Sequence, residues 1–171
     1  MKLVSIDPGY RACGVSYFDN GQLVAASLVE VISDKDTDPA DQFTKMGNAV
    51  ADYIDSLDIG NTFDLAIEYP QQYVRSPSPR ESVQKLVGVI GAISSVLQNR
   101  TGGLGVNITT YTPRSWKGQV PKEIMNDRVR NRLIEDELET LPEYSKTKMH
   151  NVMDAIGIGL KHLNRLELKR A

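Results

Sequence analysis

The dipeptide Asn20-Gly21 separates two apolar, strand-like runs, Val15–Phe18 and Gln22–Val31. A tight two-residue hairpin turn needs positive φ at both central positions, and Asn-Gly is the sequence that tolerates it best. Residues 2–7 alternate and form a preceding strand, so the chain opens as a three-stranded antiparallel meander. Phe43, Met46, Val50, Tyr53, Ile54 and Leu57 then recur at helical spacing, and Gly60-Asn61 ends that helix. A fourth strand covers Phe63–Glu68, a loop runs from Pro70 through Pro79, and residues 81–98 form a helix apolar on more than one face. A fifth strand at 107–112, a short basic loop, a helix at 122–138 and a last helix at 148–166 complete the order β-β-β-α-β-α-β-α-α. Leaving a meander through a helix to reach a further strand implies a five-stranded mixed sheet flanked by helices, an α/β architecture.

With 171 residues, one domain spanning 1–171 is expected. The lone cysteine, Cys13, excludes an intrachain disulfide framework and suits a reducing compartment. No apolar run reaches bilayer length, and Asp7 interrupts any signal-peptide core, so a cytoplasmic protein without a membrane partner is expected. The net charge of -2 is unevenly spread. Residues 1–68 hold 4 basic and 12 acidic side chains, net -8, whereas 69–171 hold 16 and 10, net +6. A mildly acidic total can therefore conceal a basic face.

Two strands end in acids. Asp7 precedes Pro8-Gly9, and Glu68 closes Asp64-Leu65-Ala66-Ile67. Strand-end carboxylates of α/β sheets face the usual ligand crevice, although Asp-Pro-Gly is also a good turn and Glu68 alone could be a solvated strand end. If the two strands lie parallel and adjacent, the acids stand side by side, and such a pair calls for a cation or a proton. Hard oxygen donors with open positions suit Mg²⁺, with Mn²⁺ as a substitute. A third acid, Asp154, sits among Val152, Met153, Ala155, Ile156 and Ile158, where an acid is otherwise unwelcome. His150 and Asn151 lie one helical turn before it, on or beside its face. A helix N-terminus would also favour an acid there. Gly157 and Gly159 cost helix stability and imply close packing against the sheet.

Ile6-Asp7-Pro8-Gly9 with Gly14-Val15, Ala66-Ile67-Glu68, and Asp154-Ala155 with Gly157 together resemble the RuvC-type Holliday junction resolvases of the ribonuclease H-like superfamily. Phage-encoded members are the nearest likeness, through Tyr111-Thr112-Pro113-Arg114-Ser115-Trp116-Lys117-Gly118 and His150-Asn151. The likeness spans nearly the whole chain in order. It implies a ribonuclease H-like fold and a homodimeric, Mg²⁺-dependent endonuclease that nicks four-way DNA junctions symmetrically. In the two-metal mechanism it implies, Asp7 bridges both ions, Glu68 and Asp154 each hold one, and water attacks the phosphate in line to leave 5′-phosphate and 3′-hydroxyl ends. The family's fourth metal residue, an Asp or His three before the last Asp, is here Asn151. His150, one residue earlier, can serve instead as ligand or proton donor. For a phage-encoded member the location would be the host cytoplasm.

The resemblance also implies that the loop after Glu68 enters the junction. That loop carries Tyr69, Tyr73, Arg75 and Arg80 and no acid; Tyr73 is the expected base-stacker, with Tyr69 expected to pack beneath. Arg114, Lys117 and Lys122 form a second basic stretch, with Lys117 and Lys122 near the scissile phosphate. Trp116 reads as a packing anchor, and Arg128, Arg130 and Arg132, offset by Asp127, Glu135, Asp136 and Glu137, as a solvated face. The surplus apolar surface of the helix at 81–98 is either a dimer interface, matching a junction's two-fold symmetry, or the seat of a second core helix. Competing functions are a broader branched-DNA or flap nuclease, a ribonuclease H, and a non-catalytic nucleic-acid-binding protein.

Overall fold

The computed structural model describes residues 1–34, 36–71, 80–103 and 105–166. The meander consists of β1 (Lys2–Asp7), β2 (Ala12–Asp19) and β3 (Gln22–Glu30), and Asn20 and Gly21 both take positive φ, 48° and 86°. Helix α1 (Pro39–Ser56) starts where the Asp38 carboxylate accepts the Ala40 N–H at 2.8 Å, with Pro39 in the first turn. Then follow β4 (Phe63–Glu68), α2 (Arg80–Arg100), β5 (Val106–Tyr111), α3 (Pro113–Trp116), α4 (Lys122–Arg130), α5 (Glu135–Glu139) and α6 (Lys146–His162). The five-stranded sheet has the order β3-β2-β1-β4-β5, with β1, β4 and β5 parallel and β1, β2 and β3 antiparallel.

Period-two alternation sorts the strands into two faces. Val4, Ile6, Val15, Tyr17, Leu65 and Ile67 join the core beneath α1 and α2. The intervening residues include Leu3, Phe18 and Ala66, which pack with α6 and α4. Ser5, Asp7, Gly14, Ser16 and Glu68 share that second face by alternation. Small residues there allow α6 to approach closely. A β-carbon on Gly14 would run into the Asn151 carbonyl, and one on Gly159 would strike the Phe18 ring and Ser5 Oγ. Ser5 Oγ and Ser16 Oγ, both buried, satisfy each other at 2.6 Å. Residues 152–160 of α6 are consequently buried all round.

Several sequence expectations change. The segment after β5, expected as a loop, forms α3, because Thr112 caps the Ser115 N–H and Pro113 fills the first turn. The expected helix at 122–138 divides into α4 and α5. Glu137 reaches back to accept the Ile134 N–H at 2.9 Å, starting a new helix under three consecutive acids. Glu137 therefore leaves the solvated face and is 1% exposed. The last helix ends at His162 rather than 166. Much of the surplus apolar surface of α2 meets α1, Gly88 lying against Phe43 and Gly47 against Ala92, while Val87 stays exposed. No helix among the described residues is long and apolar enough to cross a membrane.

Candidate active site

Parallel pairing of β1 with β4 aligns Ile6 with Ile67, so Asp7 and Glu68 end neighbouring strands at one edge of the sheet and on one face. That face is the one α6 covers, and Asp154 projects from α6 into the same neighbourhood, 5% exposed. Proximity of the three acids is felt electrostatically. Burial pushes the Asp7 carboxyl well above the ordinary range, and the charges of Glu68 and Asp154 push it further, against opposing pulls from Lys117 and Lys122. Burial also raises Glu68, while Lys117 and a hydrogen bond from Trp116 offset part of the rise.

Lys117 closes the site. Its Nζ lies 3.5 Å from Glu68 Oε2 and 3.4 Å from Asp154 Oδ2. Burial lowers the ammonium's pKa, but Glu68, Asp154 and Asp7 together outweigh it, and the net shift is upward. Nζ also stands 4.8 Å from the centre of the Trp116 ring. Trp116 is the packing anchor expected, 5% exposed, and it does more: its Nε1–H donates to Glu68 Oε2 at 2.6 Å. The Thr112-Pro113 helix start is a local signal, but the bond to Glu68 joins residues 48 positions apart, and no local pattern pairs them. A β-carbon on Gly157 would strike the indole, so that glycine seats Trp116 against α6.

Lys122, exposed at the first turn of α4, contributes to the field at Asp7. Arg114 is exposed on α3. His150 is half-buried, and its Nδ1 meets the Asn126 amide of α4. Asn126 was not anticipated; its Oδ1 is buried without a hydrogen-bond partner. Asn151 contributes its backbone to the close approach at Gly14. Tyr73 and Arg75, and the side chain of Arg80, lie outside the described residues. Tyr69 is 39% exposed rather than packed away. Cys13 braces the turn after Asp7, its Sγ accepting the Gly9 N–H at 3.3 Å. Burial lifts that thiol to about 12, which makes it an inert structural group.

Among the described residues, no three His, Cys, Asp or Glu side chains are arranged to enclose a metal ion. The Lys117 ammonium instead provides positive charge between Glu68 and Asp154. The donor chemistry nonetheless fits a hard divalent cation: three carboxylates crowd together, and Asp7 carries an unfavourable charge that a cation would relieve.

No protein-family model and no curated protein sequence matches the chain. Solved structures do. Thermus thermophilus RuvC in complex with a Holliday junction substrate superposes with a TM-score of 0.66 at 20% identity, covering 95% of this chain and 92% of that one. A second Thermus thermophilus RuvC structure gives 0.64 at 19% identity, covering 95% and 93%. The yeast mitochondrial Holliday junction resolvase Ydc2 gives 0.56 at 13% identity, covering 96% and 81%. The chain thus has the ribonuclease H-like α/β fold of these resolvase structures, over nearly its whole length.

Proposed function

We propose that the chain is a divalent-metal-dependent endonuclease that resolves four-way DNA junctions by paired, symmetric nicks, acting as a homodimer. The observation that carries this reading is the gathering of Asp7, Glu68 and Asp154 around Lys117 at one sheet edge, in a fold whose solved examples include a resolvase bound to a junction. Asp7, Glu68 and Asp154 would hold Mg²⁺, or Mn²⁺ in its place, in a two-metal arrangement. When bound, the metal supplies Lewis-acid activation of water and neutralises charge on the scissile phosphate. Trp116 fixes the orientation of Glu68 through its 2.6 Å hydrogen bond. Lys117 and Lys122 face the phosphate and stabilise charge as it develops, while Arg114, with Tyr73, Arg75 and Arg80, contacts DNA farther out.

The test is cleavage of a synthetic four-way junction, with linear duplex and an RNA–DNA hybrid alongside, in Mg²⁺ or EDTA. Metal-dependent paired nicks confined to the junction are expected. Cleavage of the hybrid, or of flaps and forks equally, would keep the site but reassign the substrate to a ribonuclease H or a broader branched-DNA nuclease. Tight junction binding with no cleavage in any metal would leave a non-catalytic binding protein.

His150 would complete the site in place of the family's fourth metal residue. Its Nδ1 is occupied by Asn126 on α4, which leaves Nε2 for the reaction. His150→Ala should lower single-turnover cleavage about a hundredfold or more, at the scale of a lost acid–base group, and Asn151→Ala should lower it less. The reverse ranking would assign the role to Asn151.

A further inference from the structure

We infer that Lys117 is a built-in counter-cation of the metal-free site: its ammonium and the divalent ion occupy the carboxylate cluster by turns, and metal binding releases the lysine toward the DNA phosphate. The inference rests on the proposed metal site and specifies how that site is held when no metal is present.

Three buried or half-buried carboxylates at one sheet edge repel one another, and water screens them poorly. A metal-free protein needs a positive charge among them or must protonate one. Lys117 supplies the charge. It lies at nearly equal distances from Glu68 Oε2 and Asp154 Oδ2, 3.5 and 3.4 Å. Those two acids come from different elements, β4 and α6, so the ammonium ties the sheet to its covering helix. The Lys117 distances exceed those of a tight ion pair (the Arg165–Glu137 pair is at 2.7 Å). The ammonium is therefore placed as a bridge between two acids and is not committed to either.

The backbone makes the exchange feasible. Lys117 is the residue that ends α3, and Gly118 follows with φ 64°, so the side chain leaves from a helix end and not from the middle of a rigid element. On leaving the acids, a four-carbon stem can still rest on Trp116, over which Nζ already lies. Trp116 does not need to move, because its Nε1–H holds Glu68 independently of Lys117. One residue would then do two things in sequence: balance the charge of the empty site, and neutralise phosphate charge once metal has displaced it. Coupling follows from mass action. If the ammonium occupies the site about nine times in ten, apparent metal affinity is weakened about tenfold.

Trp116 is the sole tryptophan of the chain, so its emission reports directly on the exchange. The experiment titrates Mg²⁺ at constant ionic strength into wild-type protein, Lys117→Met and Lys117→Arg, without DNA, following Trp116 fluorescence with calorimetry in parallel. Lys117→Met is expected to bind Mg²⁺ about tenfold tighter than wild type, to melt at a lower temperature in EDTA, and to regain wild-type melting in Mg²⁺. Lys117→Arg, which keeps the charge, should stay near wild-type affinity and shows whether the Met variant's behaviour reflects charge. Equal or weaker Mg²⁺ binding by Lys117→Met, in a variant that melts cooperatively, overturns the counter-cation role while leaving the metal site itself intact. Absence of Mg²⁺ binding by wild type and both variants overturns the exchange together with the metal-dependent reading, a result distinct from the first.

Discussion

Asp7→Asn is expected to abolish cleavage and, in the same protein, to raise the melting temperature measured in EDTA. Loss of an outer partner of a metal site costs roughly 10–100-fold, and a carboxylate on the metal itself should cost more than about a hundredfold. The stabilisation has a separate origin. Burial first, then Glu68 and Asp154, hold the folded-state pKa of Asp7 well above its ordinary value. An acid whose folded pKa is raised opposes folding when ionised. The opposition is complete above that raised value, shrinks as pH falls through it, and is gone below the unfolded value of about 3.9. The melting-temperature advantage of the Asn variant should accordingly be largest at neutral and alkaline pH and fade toward pH 4. Mg²⁺ should stabilise wild type and have a much smaller effect on the variant, because a ligand that binds only the folded state stabilises by mass action. Thermal melts of both proteins across a pH series, in EDTA and in Mg²⁺, decide the matter. An Asn variant that melts below wild type at pH 8 in EDTA would show that Asp7 is a structural acid and not a charge held under strain for a cation.

How far this site could be read from the sequence depends on the length scale of each feature. The hairpin at Asn20-Gly21 and the acids that end β1 and β4 are local signals, and all three stand where pattern put them. Asp154 was legible because an acid on a helix buried from 152 to 160 contradicts its surroundings. The long-range partners were not legible. Nothing local pairs Trp116 Nε1 with Glu68, 48 positions away, or the Asn126 amide with His150, 24 away. The split between α4 and α5 escaped for a related reason: helix propensity continues through Asn131–Ile134, and what interrupts it is a tertiary demand on Glu137.

That demand leads to the largest stability effect expected in the chain. Removing Arg165 or Glu137 singly should destabilise by about 3–5 kcal/mol, since either change strands the other charge in a poorly hydrated place. Glu137 is 1% exposed. Its carboxylate accepts Leu23 N–H at 2.7 Å, Ile134 N–H at 2.9 Å and both Arg165 terminal nitrogens at 2.7 Å. Arg165 also donates to the carbonyls of Gly21, at 2.5 Å, and Arg132, at 3.0 Å. The cluster thereby fastens the β2–β3 hairpin to α5 and to the chain beyond α6. It also satisfies an N–H of edge strand β3, as Tyr144 OH does for Leu28 at 3.4 Å. Burial alone would raise the Glu137 pKa, but Arg165 and the two backbone N–H groups lower it overall. An acid with a lowered folded pKa stabilises above its unfolded value, about 4.3 for Glu, and loses that contribution as pH falls through the folded one. Glu137 and Asp7 therefore pull the pH dependence in opposite directions. Arg165→Ala should lower the melting temperature by roughly 6–20 °C. Glu137→Leu with Arg165→Met should cost less than the two single changes added together. The cluster lies at the hairpin end of the sheet, where Asn20 N–H meets the Met1 carbonyl at 3.0 Å, opposite the end that carries Asp7 and Glu68. Below its melting temperature, Arg165→Ala should therefore cleave with unchanged kcat. A kcat that falls in step with stability would instead mean that the hairpin and α6 together hold Asp154 in register with the two strand-end acids.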